Sequence, residues 1–197
     1  MRPNPFHDAA MFLLKASWLT VPFWLLLLGS IAIAWTAWRR HPSQRSIRHL
    51  AVWLARYFVG VMWWQQSLWK VPPDYGGLVY WMQQMVDHSA FQLQSDLVRD
   101  IAIPRIGIFD PLQYAIEVAI AVSLMLGVLT RFSSAIGFLM AVNLWLGLYN
   151  APNEWPWTYF FLVTIEWLFV FDPPGRSLGL EAEGYGGFGW RVRARPM

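Results

Sequence analysis

The sequence predicts an all-α membrane protein: a four-helix transmembrane bundle with one extra N-terminal transmembrane helix. Three observations carry this. Hydrophobic residues make up 56% of the 197-residue chain and charged residues only 14%, against roughly a quarter charged in soluble domains. Five segments reach or approach the ~20 apolar residues that a helix needs to cross a hydrocarbon core. The chain also holds 14 Trp, whose amphipathic ring favours the boundary between headgroups and hydrocarbon.

The first span covers about residues 20–38, TVPFWLLLLGSIAIAWTAW. Thr20 is its expected cap, and Pro22 sits in the first turn, where a missing N–H costs little. Its basic residues follow the apolar run instead of preceding it, the reverse of a secretory signal. The second span covers about 50–69 and the third 111–130, opened by Asp110 as cap and Pro111 in the first turn. The fourth covers about 132–150 and the fifth, a short one, about 156–172. Ahead of the first span, Asp8 is placed to cap a short stretch whose apolar face, Met11, Phe12, Leu14 and Trp18, suits the membrane interface. The insertion 70–110 carries Leu78, Trp81, Met82 and Met85, then Leu93, Leu97 and Ile101, at helical spacing. Two short surface helices, too polar on their other faces to cross, are expected there.

The chain therefore divides into an N-terminal part (1–49), a four-helix bundle with its insertion (50–181) and a Gly/Arg-rich tail (182–197). The tail has little apolar surface with which to bury itself, so a partner subunit is expected to hold it. Arg39, Arg40, Arg45, Arg48, Arg131, Arg176, Arg191, Arg193 and Arg195 fall on one side of five spans. Arg2, Lys15, Lys70, Arg99 and Arg105 fall on the other. By the positive-inside rule the first side is cytoplasmic. The expectation is a multi-pass protein of the inner membrane, N-terminus and insertion outside, C-terminus cytoplasmic.

Several function classes are excluded. No basic and aromatic stripe tracks a phosphate backbone, so nucleic acid is not an expected partner. The chain has no Cys, which removes disulfides, thiolate chemistry and iron–sulfur ligation. Of the four His, none pairs with another across a membrane core, so no metal site and no bis-His haem is expected.

Polar residues inside the spans fall at two depths. Glu117, Gln65, Gln66, Asn143 and, at the lip, Lys70 converge on an outer layer. Such a set either binds a polar headgroup or joins helices as interhelical glue. Arg56 and Glu166 lie about 9 Å from the inner ends of their spans and are expected to form a structural ion pair. Asn150, Trp155 and Trp157 read as belt residues. Ser123 with Gly127, and Ser133 with Gly137 and Ala141, have the spacing of small-residue helix packing.

Residues from about 50 to 181 resemble the DoxX/DoxD family of small four-helix membrane proteins, on RYFVG leading to Trp69 and Lys70, Glu117 followed by LGVLTR, and GRSLGLE after the last span. That family includes the small subunit of thiosulfate:quinone oxidoreductase. The N-terminal helix and the long insertion depart from the compact family pattern. The resemblance implies membership of a quinone-linked redox system. Two classes follow. In one, the chain is a non-catalytic accessory subunit of a respiratory or photosynthetic complex, touching lipid and other subunits. In the other, it belongs to a thiosulfate:quinone-type enzyme whose outer layer takes a quinone or an oxyanion. There Glu117 would be the proton partner, Lys70 the electrostatic anchor, and Gln65, Gln66 and Asn143 orienting groups. No covalently bound cofactor is expected. With no thiol, cluster or haem ligands, the chain would not carry electrons alone.

Overall fold

Apolar segments of this length satisfy their backbone donors and acceptors internally by becoming helices. In the computed structural model, which describes residues 4–15, 17–71 and 76–185, every regular element among the described residues is helical. The α-helices are α1 (Pro5–Leu14), α2 (Thr20–Arg40), α3 (Ile47–Ser67), α4 (Gly76–His88), α5 (Gln92–Leu97), α6 (Ile106–Leu126), α7 (Thr130–Gly147) and α8 (Pro156–Phe171). Through a π-type turn at Val98–Ala102 and a tight turn at Ile103–Arg105, α5 continues into α6. The run Gln92–Leu126 is thereby 35 residues of continuous helix. That run and α2 are long and apolar enough to cross a membrane; α8 is apolar but shorter.

Several sequence expectations change at the helix starts. Thr20 is the first residue of α2, not its cap, and its hydroxyl meets Ser17 Oγ at 2.9 Å. Asp8 lies within α1, its N–H bonded to the Asn4 carbonyl. Asp110 and Pro111 lie inside α6, because the second surface helix runs into the span without a break. A mid-helix proline clashes with the carbonyl four residues back and removes a bond; here that residue is Gly107, beside open space. On α1, Phe12 and Leu13 pack on the core while Met11 and Leu14 are exposed.

The core unites α2, α3 and α6 around Phe23, Trp63, Trp64, Ile120, Leu124 and Met125. Packing runs along two helix pairs, α3 with α6 and α7 with α8, while α3 does not pack along α8. Gly60 lets α3 approach α6, since a Cβ there would meet the Ala121 carbonyl oxygen at 3.1 Å. Near the α6–α7 turn, Ser123 Oγ donates to Ser133 Oγ at 2.7 Å.

The bundle has two distinct ends. At one, the end of α3, the end of α7 and the start of α8 meet the α4–α5 insertion, which crosses over them: Ala90 N–H bonds to Leu146 O at 2.8 Å and Asn150 N–H to His88 O at 3.0 Å. We call this the outer end. At the inner end gather the end of α2, the start of α3, the α6–α7 turn and the segment 172–185 after α8. Gln44 ties this end together, donating to Arg176 O and accepting from Leu178 N–H. The expectation for the tail falls mostly on residues 186–197, outside the described residues. Of its beginning, Ala182 packs on Ala34, Ala37 and Leu178, and Glu183 accepts from Arg40 at 3.2 Å.

Candidate functional site

A cavity of about 1120 Å³ lies between the two helix pairs toward the outer end, under α4 and α5. Small-molecule sites typically measure about 300–1,000 Å³, so this one is roomy. Its wall is largely apolar, with Met62, Leu78, Met85, Ile136, Met140 and Leu144 prominent. Polar side chains enter it from several elements: Gln66 and Lys70, Gln94, Gln113 and Glu117, Asn143, Glu154 and Tyr159.

Lys70 and Glu117 form a buried ion pair on this wall. Lys70 is only 4% exposed and Glu117 only 1%. The ammonium sits 2.6 Å from Glu117 Oε1 and 2.7 Å from Oε2, and its third close contact is the Gln66 carbonyl at 3.1 Å. An ammonium has three donors, and those three acceptors occupy them. One turn back on α6, Gln113 donates to Glu117 Oε1 at 2.9 Å. Asp110, also fully buried, acts electrostatically on both members of the pair. The indole of Trp69 covers Lys70, its centroid 4.2 Å from the ammonium.

The remaining expected site residues divide. Asn143 lines the same cavity, but on the α7 wall, where Gln94 Nε2 donates to both its backbone and side-chain oxygens at 2.9 Å. Gln94 Oε1 is buried with no hydrogen-bond partner among the described residues. Gln66 lines the cavity and accepts from Trp69 Nε1 at 3.4 Å. Gln65 does not: it is exposed and absent from the lining. Adjacent positions on a helix stand about 100° apart, so Gln65 and Gln66 share a depth without sharing a face.

The expected Arg56–Glu166 ion pair is not formed. Arg56, fully buried, donates through Nη1 to Leu124 O and, at 3.1 Å, to Met125 O. These are carbonyls of the last turn of α6, which has no following turn to accept from. A cation there also opposes the negative end of the helix dipole. The charge facing Arg56 is Glu181. Glu181 in turn caps the other side of the turn, accepting from Thr130 N–H at 2.7 Å and Thr130 Oγ1 at 3.0 Å. Gly127, in the left-handed region at φ 73°, closes α6; a Cβ there would stand 2.8 Å from the Arg56 guanidinium. Glu166, also fully buried, accepts from Trp63 Nε1 at 2.7 Å instead. Gly137 is small for that reason: a Cβ would meet Glu166 Oε1 at 2.7 Å. Matching depth fixed neither azimuth, and the segment after α8 supplied a nearer acid.

Sequence reasoning thus missed Gln94, Gln113, Asp110, Trp63 and Glu181. Gln113 was within reach of a spacing argument, being four residues from Glu117. Trp63 depends on how α3 faces α8, and the others on where the insertion and the C-terminal segment fold. No family model, curated protein or solved structure matches the chain.

Proposed function

We propose that the chain is an integral membrane subunit of a quinone-linked electron-transfer complex, and that its outer cavity holds a quinone. The observation that supports this reading is the cavity: a large apolar volume with a few amides at one depth, the composition of a site for a long apolar body with a hydrogen-bonding head. The saturated Lys70 favours a neutral head over an oxyanion. Binding an anion there would take the ammonium from Glu117 and leave a buried carboxylate uncompensated, at a cost of several kcal/mol. The amides of the lining, Gln66, Gln113 and Asn143 among them, suit a head that donates, such as a quinol hydroxyl. The family resemblance supports the quinone-linked part of the reading, and electron carriers would belong to partner subunits.

In this reading α2, α3, α6, α7 and α8 cross the membrane. Only 28% and 33% of the two long apolar windows are buried within the protein; the other side chains are half-buried or exposed, which leaves apolar surface for lipid. Arg39, Arg40, Arg45, Arg48, Arg131 and Arg176 share the inner end, which supports a cytoplasmic position for it. Because the chain has no Cys, single cysteines report topology directly. On intact cells an impermeant maleimide should label Gln92→Cys and spare Ser43→Cys until the membrane is opened. Equal labelling of both would end the topology.

The ligand is tested with a photoreactive quinone analogue on the purified protein in nanodiscs. Cross-links should map to cavity peptides of α3, α5 or α7 and disappear with excess unlabelled quinone. Competition by ordinary phospholipid but not by quinone would overturn the assignment and mark the cavity as a lipid seat.

A further inference from the structure

Seven residues of the cavity wall are also among the exposed apolar residues of the molecule, and three of these lie in the spans α3 and α8. Phe58 on α3 is 63% exposed, and Phe161 and Ile165 on α8 are 58% and 36% exposed. They belong to the two helices that enclose the cavity without packing along each other. Phe58 lies nine residues from the outer end of α3 and Ile165 nine from the start of α8, each about 13 Å down. The flank between them is thus apolar and reaches the depth of the acyl chains. The Trp63–Glu166 hydrogen bond joins α3 to α8 at about this level, Trp63 standing nearer the outer end than Phe58 and Glu166 one residue deeper than Ile165. The polar groups of the cavity, Gln66, Lys70, Gln113 and Glu117, stand higher, toward the outer end.

From this arrangement we infer that the cavity is a lateral slot: its ligand enters from the bilayer between α3 and α8 and leaves its tail there, seated on Phe58, Phe161 and Ile165. The inference rests on the ligand reading above and deepens it. A head anchored at the Gln113 level lies nearer the membrane surface than the slot, so a tail running down from it meets the slot at the depth where lipid chains already lie. The apolar residues of the flank would otherwise offer a tail nothing but lipid-like contact, so a site of this shape selects long-tailed over tail-less molecules. Each methylene withdrawn from water contributes about 0.8 kcal/mol to membrane partition, which concentrates such ligands where the slot opens.

The test uses the full chain in nanodiscs with Phe58→Cys and Ile165→Cys joined by a bis-maleimide, the chain otherwise having no thiol. Binding is measured for two probes: a quinone with a long isoprenoid tail and the same ring without a tail. The cross-link should weaken the long-tailed quinone at least about tenfold and change the tail-less one less than about twofold. The same reagent on a single Leu28→Cys, exposed on α2 and outside the cavity lining, should alter neither. Unchanged binding of both probes after cross-linking overturns the slot while leaving the ligand reading standing. Equal loss of both also overturns it, since those side chains would then hold the head. If the parent protein binds neither probe, the ligand reading fails first and the slot with it.

Discussion

At the inner end of the bundle, charged side chains complete the backbone; at the outer end, they complete each other. Arg56 caps the last carbonyls of α6, Glu181 caps the first N–H of α7, and Gly127, Gly175 and Gly179 bring the strands of chain so close that no Cβ would fit. Outside, Lys70 and Glu117 neutralise one another and the amides of Gln66, Gln94 and Gln113 line open space. The same residue classes thus serve opposite ends. A charge committed to a helix terminus fixes the fold, because backbone cannot move away from it. A self-contained ion pair leaves room beside it, and the cavity stands there.

This contrast orders the effects of substitution. The largest is expected at the inner end. Arg56→Leu leaves the Leu124 and Met125 carbonyls without their donor and Glu181 without its counter-charge, and should cost about 4 kcal/mol of unfolding free energy in mixed micelles. A variant as stable as the parent would remove Arg56 from its capping role. Next comes the outer pair. Lys70→Met should cost about 3 kcal/mol by stranding Glu117, yet adding Glu117→Leu should restore stability to within about 1 kcal/mol of the parent. If the double variant is no better than the single one, the pair is coupled to more of the structure than its contacts indicate. Trp63→Phe, placed between the two ends, loses the donor to Glu166 and should cost about 2 kcal/mol, less than either. Gln65→Ala should change stability by less than about 0.5 kcal/mol and leave ligand binding alone, since Gln65 faces outward.

The helices were legible because apolar runs and their flanking charges report lengths directly. Their joins were not: nothing local distinguishes Asp110 as a cap from Asp110 as an interior residue, and the upstream helix decided it by running on to Leu126. For the site, depth was legible and azimuth was not. Counting residues put Lys70 and Glu117 at compatible levels, and the long flexible lysine bridged what remained. Arg56 and Glu166 also matched in depth, but Glu181 and the end of α6 stood nearer to the arginine. Most residues of the motifs behind the resemblance come together in this fold for a physical reason. RYFVG supplies Arg56 and Gly60, LGVLTR supplies Gly127 and Thr130, and GRSLGLE supplies Gly175, Gly179 and Glu181. All but Gly60 meet at the inner turn. They reflect how this bundle is tied, whereas Trp69, Lys70 and Glu117, which also carry the resemblance, stand on the outer wall.

The outer cavity is either a place for a ligand or only a gap between helix pairs. Met140→Trp separates the two, because it adds bulk where there is space and touches neither the ion pair nor the inner caps. Thermal unfolding of parent and variant in nanodiscs, with and without excess long-tailed quinone, measures it directly. A bound ligand at a hundred times its Kd stabilises by about 2.7 kcal/mol, a readable rise in the parent's transition. The account predicts that rise in the parent, an unliganded variant of nearly the parent's stability, and no rise in the variant. An equal rise in both proteins, or none in the parent, would contradict it.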